Sequence, residues 1–229
     1  MRKLRLDRFA GVVSAGKEAR VYRAIGRDGS EFAVKIYLTV TAEFRKSIQK
    51  YLIGDPRFQN VDTSNAKKLF FAWARKEYRN LKRMYDVGAR VPRPILVYQN
   101  IVVMEFIGRE GKRAPLLHEI YGELSREDAL EVYRQVIESY RRAYCCARLV
   151  HADLSEYNIM YLDGKTYIID VAQAVLVDHP NSGDFLWNDA SNLYRFFTKK
   201  LGLDIGGVED VVREMTRCRE IECVKDKRE

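Results

Sequence analysis

Two apolar runs, Phe9 to Val13 and Ala19 to Ala24, flank the small and polar stretch Ser14-Ala15-Gly16-Lys17-Glu18 and predict a hairpin. After the turn residues Asp28-Gly29, the segment Glu31 to Tyr37 alternates as a strand. It places Phe32, Val34 and Ile36 on one face and Ala33, Lys35 and Tyr37 on the other. Over 63–87 the period becomes helical, with Ala66, Leu69, Phe70, Trp73, Leu81 and Met84 on one face. Two more strands follow, Val91 to Tyr98 and Asn100 to Phe106. Gly108 and its polar successors end that pattern, which places a hinge near Met104–Gly108.

The second half reads mainly as helix. Ser125, with Asp128 three residues on, starts a helix that keeps Leu130, Tyr133, Val136, Ile137, Tyr140 and Tyr144 on one side. The runs Ile159 to Leu162 and Thr166 to Ile169 flank Asp163-Gly164-Lys165, a strong hairpin signal. Further helices carry Phe185, Leu186, Leu193, Phe196 and Phe197, then Val208, Val211, Val212 and Met215, before a charged tail.

Between strand and helix lies an unusually long connector, 38–65, with Arg45, Lys46, Lys50 and Arg57. A short helix plus loop and a mobile segment both fit it, and partial disorder is expected. The net charge of +8 admits a polyanionic partner such as RNA, and equally an ordinary basic protein. No secretory signal is legible, and Ile101-Val102-Val103-Met104 is too short to span a bilayer. A cytoplasmic protein follows, with no membrane contact. Cys145, Cys146, Cys218 and Cys223 form no C-x-x-C pair, so reduced thiols are expected rather than zinc ligands.

Chemistry enters at His151-Ala152-Asp153-Leu154-Ser155-Glu156-Tyr157-Asn158 and at Asp170. An Asp and an Asn five apart, followed by an Asp ending an apolar run, meet the needs of phosphoryl transfer from Mg-ATP. Asp153 is the candidate base, and Asn158 and Asp170 are candidate metal ligands brought together by the 159–169 hairpin. Glu77 lies four residues from both Trp73 and Leu81, inside the apolar stripe, so it needs a partner. Lys35, in Ala33-Val34-Lys35-Ile36, is the natural partner and would grip the α- and β-phosphates, the alternative being a stripe-edge Glu77 that reaches solvent. Ser14, Gly16 and Lys17 offer donors to phosphate, although only the middle glycine of G-x-G-x-x-G is present. Val21 and Ala33 would lie above the adenine, Met160 below and Met104 behind, with backbone groups of Glu105 and Ile107 at its edge. After Asp170 the chain reads Val171-Ala172-Gln173, with no D-F-G and no A-P-E. The expected fold is α+β and bilobal, like a protein kinase. Residues 1–106 form an N-lobe of antiparallel sheet plus helix. Residues 107–229 form a trimmed, mainly helical C-lobe without an activation segment or peptide-docking subdomain.

These residues resemble the RIO family of atypical kinases, on its Rio-one branch. Ser14-Ala15-Gly16-Lys17-Glu18-Ala19-Arg20-Val21-Tyr22 is similar to the family's S-x-G-K-E-A-x-V-Y loop, and His151 to Asn158 to its H-x-D-L-S-E-Y-N loop. Ile168 to Gln173 with Asp178-His179-Pro180 resembles its metal loop, and Trp73 to Glu77 with Asn80 to Arg83 its helix. Ala15 stands where the family usually has Thr. The resemblance implies an ATP-dependent enzyme using Mg2+, with Mn2+ as an alternative, monomeric, and engaged with small ribosomal subunit precursors (rRNA and proteins). It also implies serine autophosphorylation and ATPase turnover through a phospho-aspartate at Asp170. Two other readings stay open: a small-molecule phosphotransferase with the same loop, and a nucleotide-gated module that binds RNA or ribosome without catalysis.

Overall fold

The alternating N-terminal segments pair into one antiparallel sheet. In the computed structural model, which describes residues 6–38, 42–58, 61 and 65–223, strands β1 (Leu6–Ala15), β2 (Ala19–Gly26) and β3 (Glu31–Tyr37) are followed by helices α1 (Ala42–Leu52) and α2 (Ala66–Asp86). Strands β4 (Pro94–Tyr98) and β5 (Ile101–Glu105) complete a sheet of order β1-β2-β3-β5-β4. Its register sets Val21 opposite Lys35 and Ala33 opposite Met104. One face thus gathers the residues on which the cleft depends. Helix α2 starts where the Asn65 side chain accepts from Lys68 N at 3.1 Å. It ends at Gly88, whose φ of +77° lets the chain reverse. Leu69, Trp73, Leu81 and Met84 are buried along its length, as the helical period requires.

At Phe106–Ile107 the chain leaves the sheet. The small hairpin of β6 (Gly108–Arg109) and β7 (Lys112–Arg113) and the single turn α3 (Leu117–Ile120) lead into α4 (Arg126–Arg141). Ser125 caps α4 by accepting from Asp128 N at 3.0 Å. A π-helical turn, Arg142–Cys146, delivers the chain to β8 (Leu149–Val150) and the loop beginning at His151. The hairpin of β9 (Ile159–Leu162) and β10 (Lys165–Ile168) turns on Asp163-Gly164, both at positive φ as a two-residue turn demands. Strand β11 (Val175–Leu176) pairs back on β8. Helices α5 (Ser182–Tyr194), extended by a π-helical stretch Arg195–Lys200, and α6 (Val208–Thr216) close the half. Val136 and Tyr140 of α4, Ile159, Ile168, Leu193, Phe197, Val211 and Met215 share one buried cluster. Each such side chain contributes about 1.5–3 kcal/mol by leaving water.

A second cluster joins the halves: Ile48, Tyr51 and Leu52 of α1 pack with Trp73, Ala152, Ala172 and Phe185. Within the connector, 42–58 takes the short-helix form, α1 and a 3-10 turn, Pro56–Phe58, because its apolar side chains find this shared core. The rest of the 38–65 connector, apart from 38, 61 and 65, lies outside the described residues.

The expectation of reduced thiols is also overturned. Cys145 is bonded to Cys218 and Cys146 to Cys223, both with Cα atoms 5.4 Å apart. The adjacent cysteines sit at the end of α4, and α6 returns the tail to them, a contact that sequence spacing does not show. No described helix is long and apolar enough to cross a membrane.

Candidate active site

Sheet and helical half enclose a cleft of about 460 Å3, a size suited to a small-molecule ligand. From the sheet side come Ser14, Gly16, Lys17, Val21, Ala33 and Lys35. Glu77 stands at the back, with Met104, Glu105 and Ile107 along the link between the halves. Asn158, Met160 and Asp170 form the floor. Of the site residues predicted from sequence, only Asp153 is absent from the lining; it is exposed on its loop just beyond.

The electrostatic centre is a chain of partners that runs from buried Glu77 and Lys35 to the half-exposed Asp170. Lys35 Nζ donates to Glu77 Oε1 at 2.7 Å and to Asp170 Oδ1 at 2.9 Å. Tyr37 OH donates to Glu77 Oε2 at 2.5 Å. Burial opposes the Lys35 charge, but Asp170 and Glu77 outweigh it and hold the ammonium protonated. Burial would raise the Asp170 carboxyl, yet Lys35 beside it brings it below its ordinary value. Asp170 is thus an anion held by one oxygen. Its φ of +55°, with Ala152 at +71°, puts two non-glycine residues of the site in the left-handed region, where strain is stored.

The loop after His151 is held from below. Asp189 of α5, fully buried, accepts from Ala152 N at 2.8 Å, Leu154 N at 2.7 Å and Tyr140 OH at 2.8 Å. Burial pushes its carboxyl up to about 7 despite these donors. The grips fall on either side of Asp153 and fix its backbone. Though Asp153 is exposed on one side, the protein packed around its other side and nearby Asp170 raise its carboxyl, partly offset by Lys50 of α1. Asn158 Nδ2 donates to Asp153 O at 2.7 Å, which turns its amide oxygen outward, and Ile169 N donates to Asn158 O at 2.9 Å. That bond ties Asn158 to the strand end bearing Asp170. The amide oxygen of Asn158 and the remaining Asp170 oxygen make a sparse, hard-oxygen pair. Such a pair suits Mg2+, which keeps waters and shares phosphate oxygens.

Sequence reading placed Tyr37 on the Lys35 face but gave it no role. It missed Asp189, which lies four residues from both Phe185 and Leu193, so the stripe argument applied to Glu77 identifies it too. Glu18, whose carboxyl is raised by burial and by Asp170, and Gln173 also line the cleft.

The RIO domain family matches residues 20–206. The serine/threonine-protein kinase RIO1 of Caenorhabditis elegans is 42% identical over 219 residues, covering 93% of this chain and 42% of that protein. The RIO-type serine/threonine-protein kinase Rio1 of Haloferax volcanii is 43% identical over 202 residues, covering 88% of this chain and 67% of that protein. This chain therefore spans less than half of the first relative and about two thirds of the second. Among solved structures, the Rio2 kinase–ADP/Mg2+–phosphoaspartate complex from Chaetomium thermophilum superposes with a TM-score of 0.67. It is 21% identical, and the match covers 93% of this chain and 63% of that one, a likeness of fold. With the family's domain matched over most of its length and relatives above 40% identity, this chain belongs to the RIO kinase family.

Proposed function

We propose that this chain is an Mg-ATP-dependent atypical serine/threonine kinase and ATPase that acts, as a cytoplasmic monomer, in small ribosomal subunit maturation. The observation that carries the chemistry is the junction of Lys35, Glu77 and Asp170 in one cleft beside the Asp153–Asn158 loop. The ribosomal role rests on kinship alone. The lobes are 1–106 and 107–229, joined at Phe106–Ile107.

Adenine lies between Val21 and Ala33 above and Met160 below, with Met104 behind. The Ile107 carbonyl is taken by Ala114 N at 2.9 Å, so the Ile107 N–H and the Glu105 backbone address the base. Ser14, Gly16 and Lys17 cover the phosphates, and Lys35 grips their α- and β-oxygens. Asn158 and Asp170 would hold Mg2+ or Mn2+, which would supply charge neutralisation at the phosphate oxygens. Asp153 orients the attacking hydroxyl and takes its proton as the bond from the γ-phosphorus to the bridging oxygen breaks and ADP leaves. When the acceptor is a serine of the chain, the product is phosphoserine. When the Asp170 carboxylate attacks instead, an acyl phosphate forms, and water hydrolyses it to free phosphate. The Rio2 relative whose structure contains a phosphoaspartate makes this second route chemically natural for the fold.

Incubation with γ-labelled ATP tests the reading. Label stable to hydroxylamine indicates phosphoserine, and label released by hydroxylamine indicates the acyl phosphate. Absence of both labelled protein and released phosphate would refute it.

A further inference from the structure

Helix α2 does more than present Glu77. Its next residues on the adjoining face, Lys76 and Asn80, are both fully buried and point at the segment after Asp170. Lys76 Nζ donates to Ala172 O at 2.9 Å and also to Ala174 O. Asn80 Nδ2 donates to Val171 O at 2.9 Å and Ala174 O at 2.8 Å. Three carbonyls that follow Asp170 thus receive four hydrogen bonds from one helix. A buried lysine amine is costly unless its donors find partners, and here two backbone oxygens accept from it. Burial presses the Lys76 amine well below its ordinary value, and the Arg57 charge adds to this.

The α1–α2 connector completes the arrangement. Arg57 NH1 donates to Asn80 Oδ1 at 2.8 Å, which fixes the amide so that its nitrogen faces the loop. The Arg57 Nε and NH2 groups bind the two oxygens of buried Asp55 at 2.9 and 2.7 Å. Just before it, Ile53 O accepts from His179 Nε2 at 2.7 Å, so the connector is fastened to the helical half.

We propose that Lys76 and Asn80, with Arg57 behind Asn80, are positioning residues that clamp the 171–174 segment onto α2 and so hold Asp170 against Lys35 and Glu77. In protein kinases at large, the strand-lysine to helix-glutamate pair and the metal-binding Asp are brought into place by movements of the helix and an activation loop. Here one helix grips both members. Moving α2 away from Lys35 would strip a buried amine and a buried amide of their partners, so the assembled state is built in rather than switched. The role assigned to Asp170 rests on the kinase reading; the clamp itself does not.

Two measurements separate those levels. In the wild-type protein without nucleotide, hydrogen exchange of peptides covering 170–175 and 74–82 is expected to occur in one cooperative step. Exchange of 170–175 more than about tenfold faster than 74–82 would overturn the clamp. The variants Lys76→Met and Asn80→Leu keep volume and remove the donors. In each, the Mg2+-dependent gain in ADP affinity should fall about tenfold, while metal-free ADP affinity changes by less than about threefold. Retention of the wild-type Mg2+ gain and wild-type exchange in both variants would also overturn it. If the wild type itself gains nothing from Mg2+, the kinase reading fails, and the exchange result still decides the clamp.

Discussion

His151 shows how a single buried residue sets a pH limit. It is 2% exposed, its Nε2 lies 3.2 Å from Ile169 O, and its Nδ1 meets no hydrogen-bond partner among the described residues. Burial lowers the imidazole from 6.5 to about 4, with the Ile169 carbonyl offsetting only part. Folded His151 therefore stays neutral where the unfolded chain takes up a proton. Stability is complete above pH 6.5 and is lost progressively as pH falls through that value towards about 4. The full loss from this residue is about 3 kcal/mol. Chemical denaturation at pH 7 and pH 4.5 should show the acid penalty in wild type and a smaller one in His151→Gln. Glu77 was legible because a carboxylate interrupts an apolar stripe and demands a partner. Lys76 was not, because a lysine beside a glutamate on a helix reads as solvated charge until the 171–174 carbonyls are placed in space.

At the scale of elements, the strands, helices and β9–β10 hairpin follow from local patterns, and their ends fall within a few residues of expectation. The two-residue strands and the π-helical turns carry no such signal, since tertiary pairing and local crowding create them. The connector before α2 left a helix and a mobile segment both open for a related reason: the packing of α1 depends on Trp73 and Phe185, distant in sequence. Gly54 marks how closely it docks. Its φ is +92°, and an added Cβ would lie 2.8 Å from Pro180 Cδ. Gly54→Val is thus expected to cost about 1–3 kcal/mol in urea unfolding. Because α1 packs against Ala152, it should also lower ATP turnover. An unchanged midpoint would mean that the docking is not energetically important.

Across the whole molecule, the two disulfides pin the tail beside the π-turn that feeds the Asp153 loop. The separation of 73 residues between Cys145 and Cys218 implies about 4 kcal/mol from the constrained unfolded state. The second bridge adds less, because the first already brings its ends together. Reduction should lower the melting temperature by roughly 10 °C, which calorimetry with and without reductant would measure. Phosphoryl transfer at the Asp153 loop is tested most directly by single-turnover release of γ-phosphate from labelled ATP, compared between wild type and Asp153→Asn. The expected result is a fall of about a hundredfold or more in the variant, with Mg-ADP affinity retained. Full turnover in Asp153→Asn would contradict the assignment of phosphoryl transfer to this site.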